Sequence, residues 1–108
     1  MKVFEMKDII EKARKSGELY EEFLRVPSLS AGVYMLRTGT QDPQTPHGED
    51  EIYCVLNGRG TVNVQGETRE IQLGSVIFVP AKAEHRFQDI EEDLVLLVLF
   101  SPAEGTKS

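Results

Sequence analysis

A chain of 108 residues, 40% of them hydrophobic, fills one core and leaves too little apolar material for two, so residues 1–108 read as a single domain. A net charge of -6, from 12 basic and 18 acidic residues with the basic ones scattered, argues against a nucleic-acid partner. The longest apolar run, the seven residues from Leu94 to Phe100, falls far short of the roughly 18 that a membrane helix needs, which argues against a membrane partner.

The chain begins Met-Lys-Val-Phe-Glu-Met-Lys-Asp, without the apolar stretch of a secretory signal, and its one cysteine, Cys54, has no internal disulfide partner. Both features lead us to expect a cytoplasmic protein. From Asp8, a cap residue, the stripe of Ile9, Ile10 and Ala13 predicts a short helix that stops at Gly17. The following segment, 18–26, fits two readings: Leu19, Tyr20, Phe23 and Leu24 suit a helical stripe, and an extended edge piece suits them equally. Its apolar side chains, Leu19, Phe23 and Leu24, offer a surface on which a homodimer could form.

After Pro27 the texture changes to short runs rich in Val, Ile, Tyr and Phe between turn residues, which predicts strands. About seven are expected: 31–37, 51–56, 61–65, 69–73, 75–79, 84–88 and 93–100. Asn57-Gly58 is read as a tight hairpin between the second and third, and Gln65-Gly66-Glu67 as the next turn. The last run is apolar throughout and is expected at the centre of the sheet. The domain thus divides into an extension (1–26), a barrel or sandwich (27–101) and a loose tail (102–108).

The residues able to do chemistry are few. His47 and His85 are the only histidines, and His47 is followed by Gly48-Glu49-Asp50-Glu51. On a straight strand positions 47 and 51 would lie about 13 Å apart. Ligand atoms at roughly 2 Å from one ion must lie within about 3 to 4 Å of each other, so a shared ion requires the chain to fold back. Gly48 and Asp50 permit that turn, which makes Glu49 and Asp50 solvated turn charges and sends Glu51 into the barrel. Tyr53 lies on the same strand face as Glu51 and is a possible pocket residue; Cys54 alternates to the opposite face. Tyr34, Met35 and Phe87 are expected wall residues.

The spacing of these residues resembles the two signature motifs of the cupin superfamily, small single-domain barrels of the cupin 2 type. The first runs through Gly39, Thr45-Pro46-His47, Glu51 and Gly58; the second through Gly74, Pro80, His85 and Asp89, with Lys82 where glycine is usual and Asp89 where asparagine is usual. The resemblance implies an all-β jelly-roll barrel with a short N-terminal helix, and it makes His47, Glu51 and His85 metal ligands. Thr45 stands where the family has its first histidine, and a neutral hydroxyl is a poor ligand beside imidazole and carboxylate. Gln44, through its amide oxygen, is preferred to water for the fourth place, with Gln41 behind it. The alternative is an empty barrel.

Two imidazoles and a carboxylate with open positions suit Fe(II), and equally accept Zn, Mn, Ni or Cu as one divalent transition metal. The expected function is that of an oxygenase-like or isomerase-like enzyme on a small-molecule substrate. The competing expectation is a non-catalytic module that binds or senses a small ligand.

Overall fold

The structure is a computed structural model and describes residues 1–107. Helix α1, Met6–Ser16, begins two residues before the expected cap, with Glu5 at the N-cap position, and ends where expected, on Gly17 in the left-handed conformation. It turns only Ala13 fully inward. The ambiguous segment resolves as strand β1, Tyr20–Val26, antiparallel to β2, Leu29–Leu36. Pairing with β2 outweighs the helical stripe, and a bulge between Glu22 and Leu24 bends the strand.

The remaining strands are β3, Asp50–Val64; β4, Glu67–Gln72; β5, Val76–Val79; and β6, His85–Ser101. The sheet runs β1-β2-β6-β3-β4, with β5 on β3. The seven expected runs become five strands, because two pairs of short runs are each one long, bent strand, and β1 brings the number to six. At Asn57-Gly58 the chain does not reverse. It bulges, and β3 stays paired with β6 from Asp50↔Ser101 to Val64↔His85 through three register shifts. Gly58, at φ +92°, supplies the bulge, and a side chain there would strike the Asp93 carbonyl. The hairpin that does form is the second one: Gln65 (φ +51°) and Gly66 (φ +87°) both take the left-handed conformation that a two-residue I′ turn requires.

β6 sits between β2 and β3, as its apolar sequence predicts. Its inward residues Leu94, Leu96, Val98 and Phe100 pack with Tyr34, Leu36, Val55, Val62 and Phe87 to close the barrel interior. The segment after β6 corrects the expectation of a loose tail. Ala103 is buried and donates its N–H to the Pro27 carbonyl (3.3 Å), and the Glu104 N–H donates to Ser30 Oγ (2.9 Å). Ser108 lies outside the described residues.

Candidate metal centre

Three elements place the expected ligands. His85 opens β6, Glu51 is the second residue of β3 and points inward, and His47 stands in the loop between β2 and β3. The Lys82 N–H donates to the His47 carbonyl (2.6 Å), tying that loop to the turn before His85. The chain bends at Gly48 and Glu49, as the distance argument demands, and brings one ligand atom each of His47, Glu51 and His85 within 4.8 Å of one another.

Gln44 reaches the same point. Its Nε2 donates to Asp42 Oδ2 (2.8 Å), which fixes the amide so that Oε1 accepts the Tyr53 hydroxyl (2.7 Å) and lies 3.2 Å from His85 Nε2. Asp42 also accepts the Tyr34 hydroxyl (2.6 Å) and the Phe87 N–H (2.8 Å), so one carboxylate organises two walls of the site. The sequence reading missed it; the signal available was its place before Pro43, where an aspartate commonly folds back on its own backbone.

The charge balance of the centre is unusual. His85 Nδ1 lies 3.0 Å from the Ala83 carbonyl, which only accepts, so Nδ1 carries a proton. Nε2 then faces Glu51 Oε1 at 3.1 Å and Gln44 Oε1 at 3.2 Å. The Tyr53 hydroxyl lies within reach of both Gln44 Oε1 (2.7 Å) and His85 Nε2 (3.1 Å), but its single proton satisfies one of these lone pairs at a time; a proton on Nε2 or a metal ion satisfies them together. Burial presses the His85 pKa down, but the Glu51 carboxylate and the Ala83 carbonyl outweigh it and raise the value on balance. Burial, with the Glu51 charge second, lifts Tyr53 well above the usual phenol range and keeps it a hydrogen-bond donor. Glu51 is only 2% exposed, and its Oε2 has no hydrogen-bond partner among the described residues. A buried carboxylate oxygen left in this state fits a cation, so the donor set suits the metal that the resemblance implies.

Beside the centre lies a cavity of about 210 Å³, lined among others by Tyr20, Tyr34, Gln44, His47, Tyr53 and Glu104. It is smaller than the roughly 300–1,000 Å³ of pockets for drug-sized ligands, and no lysine or arginine lines it.

Other expected residues fall elsewhere. Thr45 lines the cavity but is exposed, and Gln41 is exposed and does not line it. Phe87 packs edge-on against Tyr53 at 4.9 Å between ring centroids, behind the site. Met35 is not a wall residue of this pocket: it alternates away from Tyr34 and lines a separate groove beside α1. Asp50 is exposed as expected, but Glu49 is not a solvated turn charge. It is 3% exposed and accepts the N–H groups of Gly105 (3.2 Å) and Lys107 (2.6 Å). Tyr20 and Glu104, both lining the cavity, were invisible in the sequence, because nothing local links residues 20 and 104 to the motifs.

Comparison with known proteins bears on the family and the fold. The family model for the cupin domain matches residues 32–100. An uncharacterized protein of Streptomyces coelicolor, SCO3923, is 42% identical over 105 residues, covering 97% of this chain and 100% of its own. Among solved structures, TT1209 from Thermus thermophilus superposes with a TM-score of 0.76 at 24% identity, covering 95% of this chain and 99% of that one. The DMSP lyase DddQ from Ruegeria pomeroyi has a TM-score of 0.69 at 22% identity, with 81% of this chain and 49% of that one covered. The matched region contains His47, Glu51 and His85 with the strands and loops that bring them together, and this chain belongs to the cupin family.

Proposed function

We propose that the protein holds one divalent transition metal through His47, Glu51 and His85, with the Gln44 amide oxygen as fourth donor, and works as an oxygenase-like or isomerase-like enzyme on a small organic molecule. The observation that carries the reading is the buried Glu51 carboxylate, unpartnered at Oε2 and facing His85 Nε2 at 3.1 Å. When bound, such an ion supplies Lewis-acid or redox chemistry beside the cavity. The chain's own residues do the rest. Tyr53 and Tyr34 present hydroxyl groups, Phe100 and Val98 exclude water from one wall, and Asp42 holds Gln44 and Tyr34 in place. The likeness to a lyase is one of fold, and the reaction here is argued from the site alone.

Pairing of two copies belongs to the same proposal. Of the apolar residues expected to offer a pairing surface, Leu19 is exposed while Phe23, packed on Phe4, and Leu24 are half-buried; Val76 and Phe78 on β5 and their neighbour Ile52 on β3 add exposed apolar surface for a second copy. Light scattering should return twice the 12.1 kDa chain mass, and the monomer mass would overturn this part.

The test of function is turnover. Protein loaded in turn with Fe, Zn, Mn, Ni and Cu is presented with a panel of small carbonyl and enolisable compounds, with oxygen consumption and substrate NMR recorded. We expect metal-dependent turnover that Glu51→Gln abolishes. Compounds that raise the melting temperature but are never converted with any ion would overturn the enzyme reading in favour of a ligand-binding module.

A further inference from the structure

The segment 102–107 is clamped to the very loop that carries His47. Glu49, two residues on, receives the N–H groups of Gly105 and Lys107 on its two oxygens. Gly48 lies so close that a Cβ there would fall on the Lys107 carbonyl oxygen. From the other side, Arg25 donates to the Glu104 carbonyl (2.8 Å) and Ser30 Oγ accepts the Glu104 N–H (2.9 Å). The backbone at Glu104 is thus held at both faces, and its side chain points into the cavity, where Oε2 lies 3.9 Å from His47 Nδ1, both side chains partly buried.

We infer that Glu104 is a positioning residue for His47: its carboxylate favours the proton on the near ring nitrogen, Nδ1, and so leaves the other nitrogen free as a donor to a cation. This rests on the metal reading above, though its first consequence needs no metal. A neutral imidazole carries one proton on either nitrogen, and a carboxylate beside Nδ1 is attracted to an N–H and repelled by a lone pair. At 3.9 Å the contact is electrostatic and not a hydrogen bond. The role matches the partner that metal-binding histidines commonly have on their second nitrogen. It also gives the Gly48-Glu49 pair a purpose: the two residues after the ligand read the segment that orients it.

The test uses the full chain and two readouts. Nitrogen NMR of the metal-free protein in alkaline buffer reports which His47 nitrogen holds the proton, and titration with zinc against a coloured chelator reports affinity. We expect the wild type to be protonated at Nδ1, Glu104→Ala to shift the proton toward the other nitrogen, and zinc affinity to fall about 10- to 100-fold. Glu104→Gln, which keeps the size and an acceptor oxygen, should recover part of both, and it serves where the alanine variant fails to fold. An unchanged tautomer with zinc affinity within about twofold of wild type in both variants would overturn the inference. Wild type that takes up no zinc overturns the metal reading, and the tautomer measurement then still decides the role of Glu104.

Discussion

Lys82 and Asp89 are the two positions where this chain departs from the glycine and asparagine of the second motif, and both have positive φ, +68° and +49°. The family preference therefore has a backbone cause: each position requires the left-handed region, cheap for glycine and tolerated by asparagine or aspartate. Lysine is the more strained of the two. Lys82→Gly should raise stability by about 0.5–1 kcal/mol in urea unfolding, since relieved strain exceeds the added freedom of the unfolded chain. Asp93 gives a pH signature. The Thr38 backbone N–H first, and then its hydroxyl, donate to Asp93 Oδ1 and hold its carboxyl below the usual range. A depressed folded-state pKa contributes stability that is present above about pH 4 and lost as pH falls through the folded value. The urea midpoint of Asp93→Asn should therefore lie below wild type near neutrality and converge with it on acidification; a gap constant with pH would contradict the assignment. At this scale the candidate ligands His47, Glu51 and His85 were legible because imidazoles are rare here and their spacing is specific. Asp42, Glu49 and Glu104 were not, because each is one of 18 acidic residues and only tertiary contacts single it out.

Among the elements, Asn57-Gly58 and Gln65-Gly66 carry similar local signals and have opposite outcomes. Both glycines take positive φ, as the sequence indicates. What differs is the partner strand: β6 runs on past residue 57, so the first site bends β3, whereas β4 returns beside β3 after the second. Whether a glycine marks a bulge or a reversal is set by a strand distant in sequence, which is why turn chemistry alone misjudged it. The same limit applied to β1, whose stripe fits helix and strand alike until β2 supplies hydrogen bonds. The segment after β6 makes a prediction of its own kind. Glu49→Ala removes the acceptor of two backbone N–H groups, and should cost about 1–3 kcal/mol and speed amide exchange at Gly105 and Lys107 over the rest of the chain. Unaltered exchange at both amides would mean that Glu49 does not hold the segment.

For the whole molecule, the barrel converts two distant motifs into one charged centre. β3 and β6, paired along their length, carry Glu51 and His85 on inward positions, and the Lys82 to His47 hydrogen bond draws in the third member. A cation bound only by the folded state stabilises it by mass action, about 2.7 kcal/mol at a hundredfold excess over its dissociation constant. The melting temperature should rise with added Zn or Mn in the wild type and stay flat in His85→Ala. No helix among the described residues is long and apolar enough to cross a membrane. The most direct test is the metal content of untagged protein, by elemental analysis of wild type, His47→Ala and His85→Ala purified side by side. The convergence of His47, Glu51 and His85 predicts close to one transition-metal ion per chain in the wild type and little in either variant; equal content in all three would contradict it.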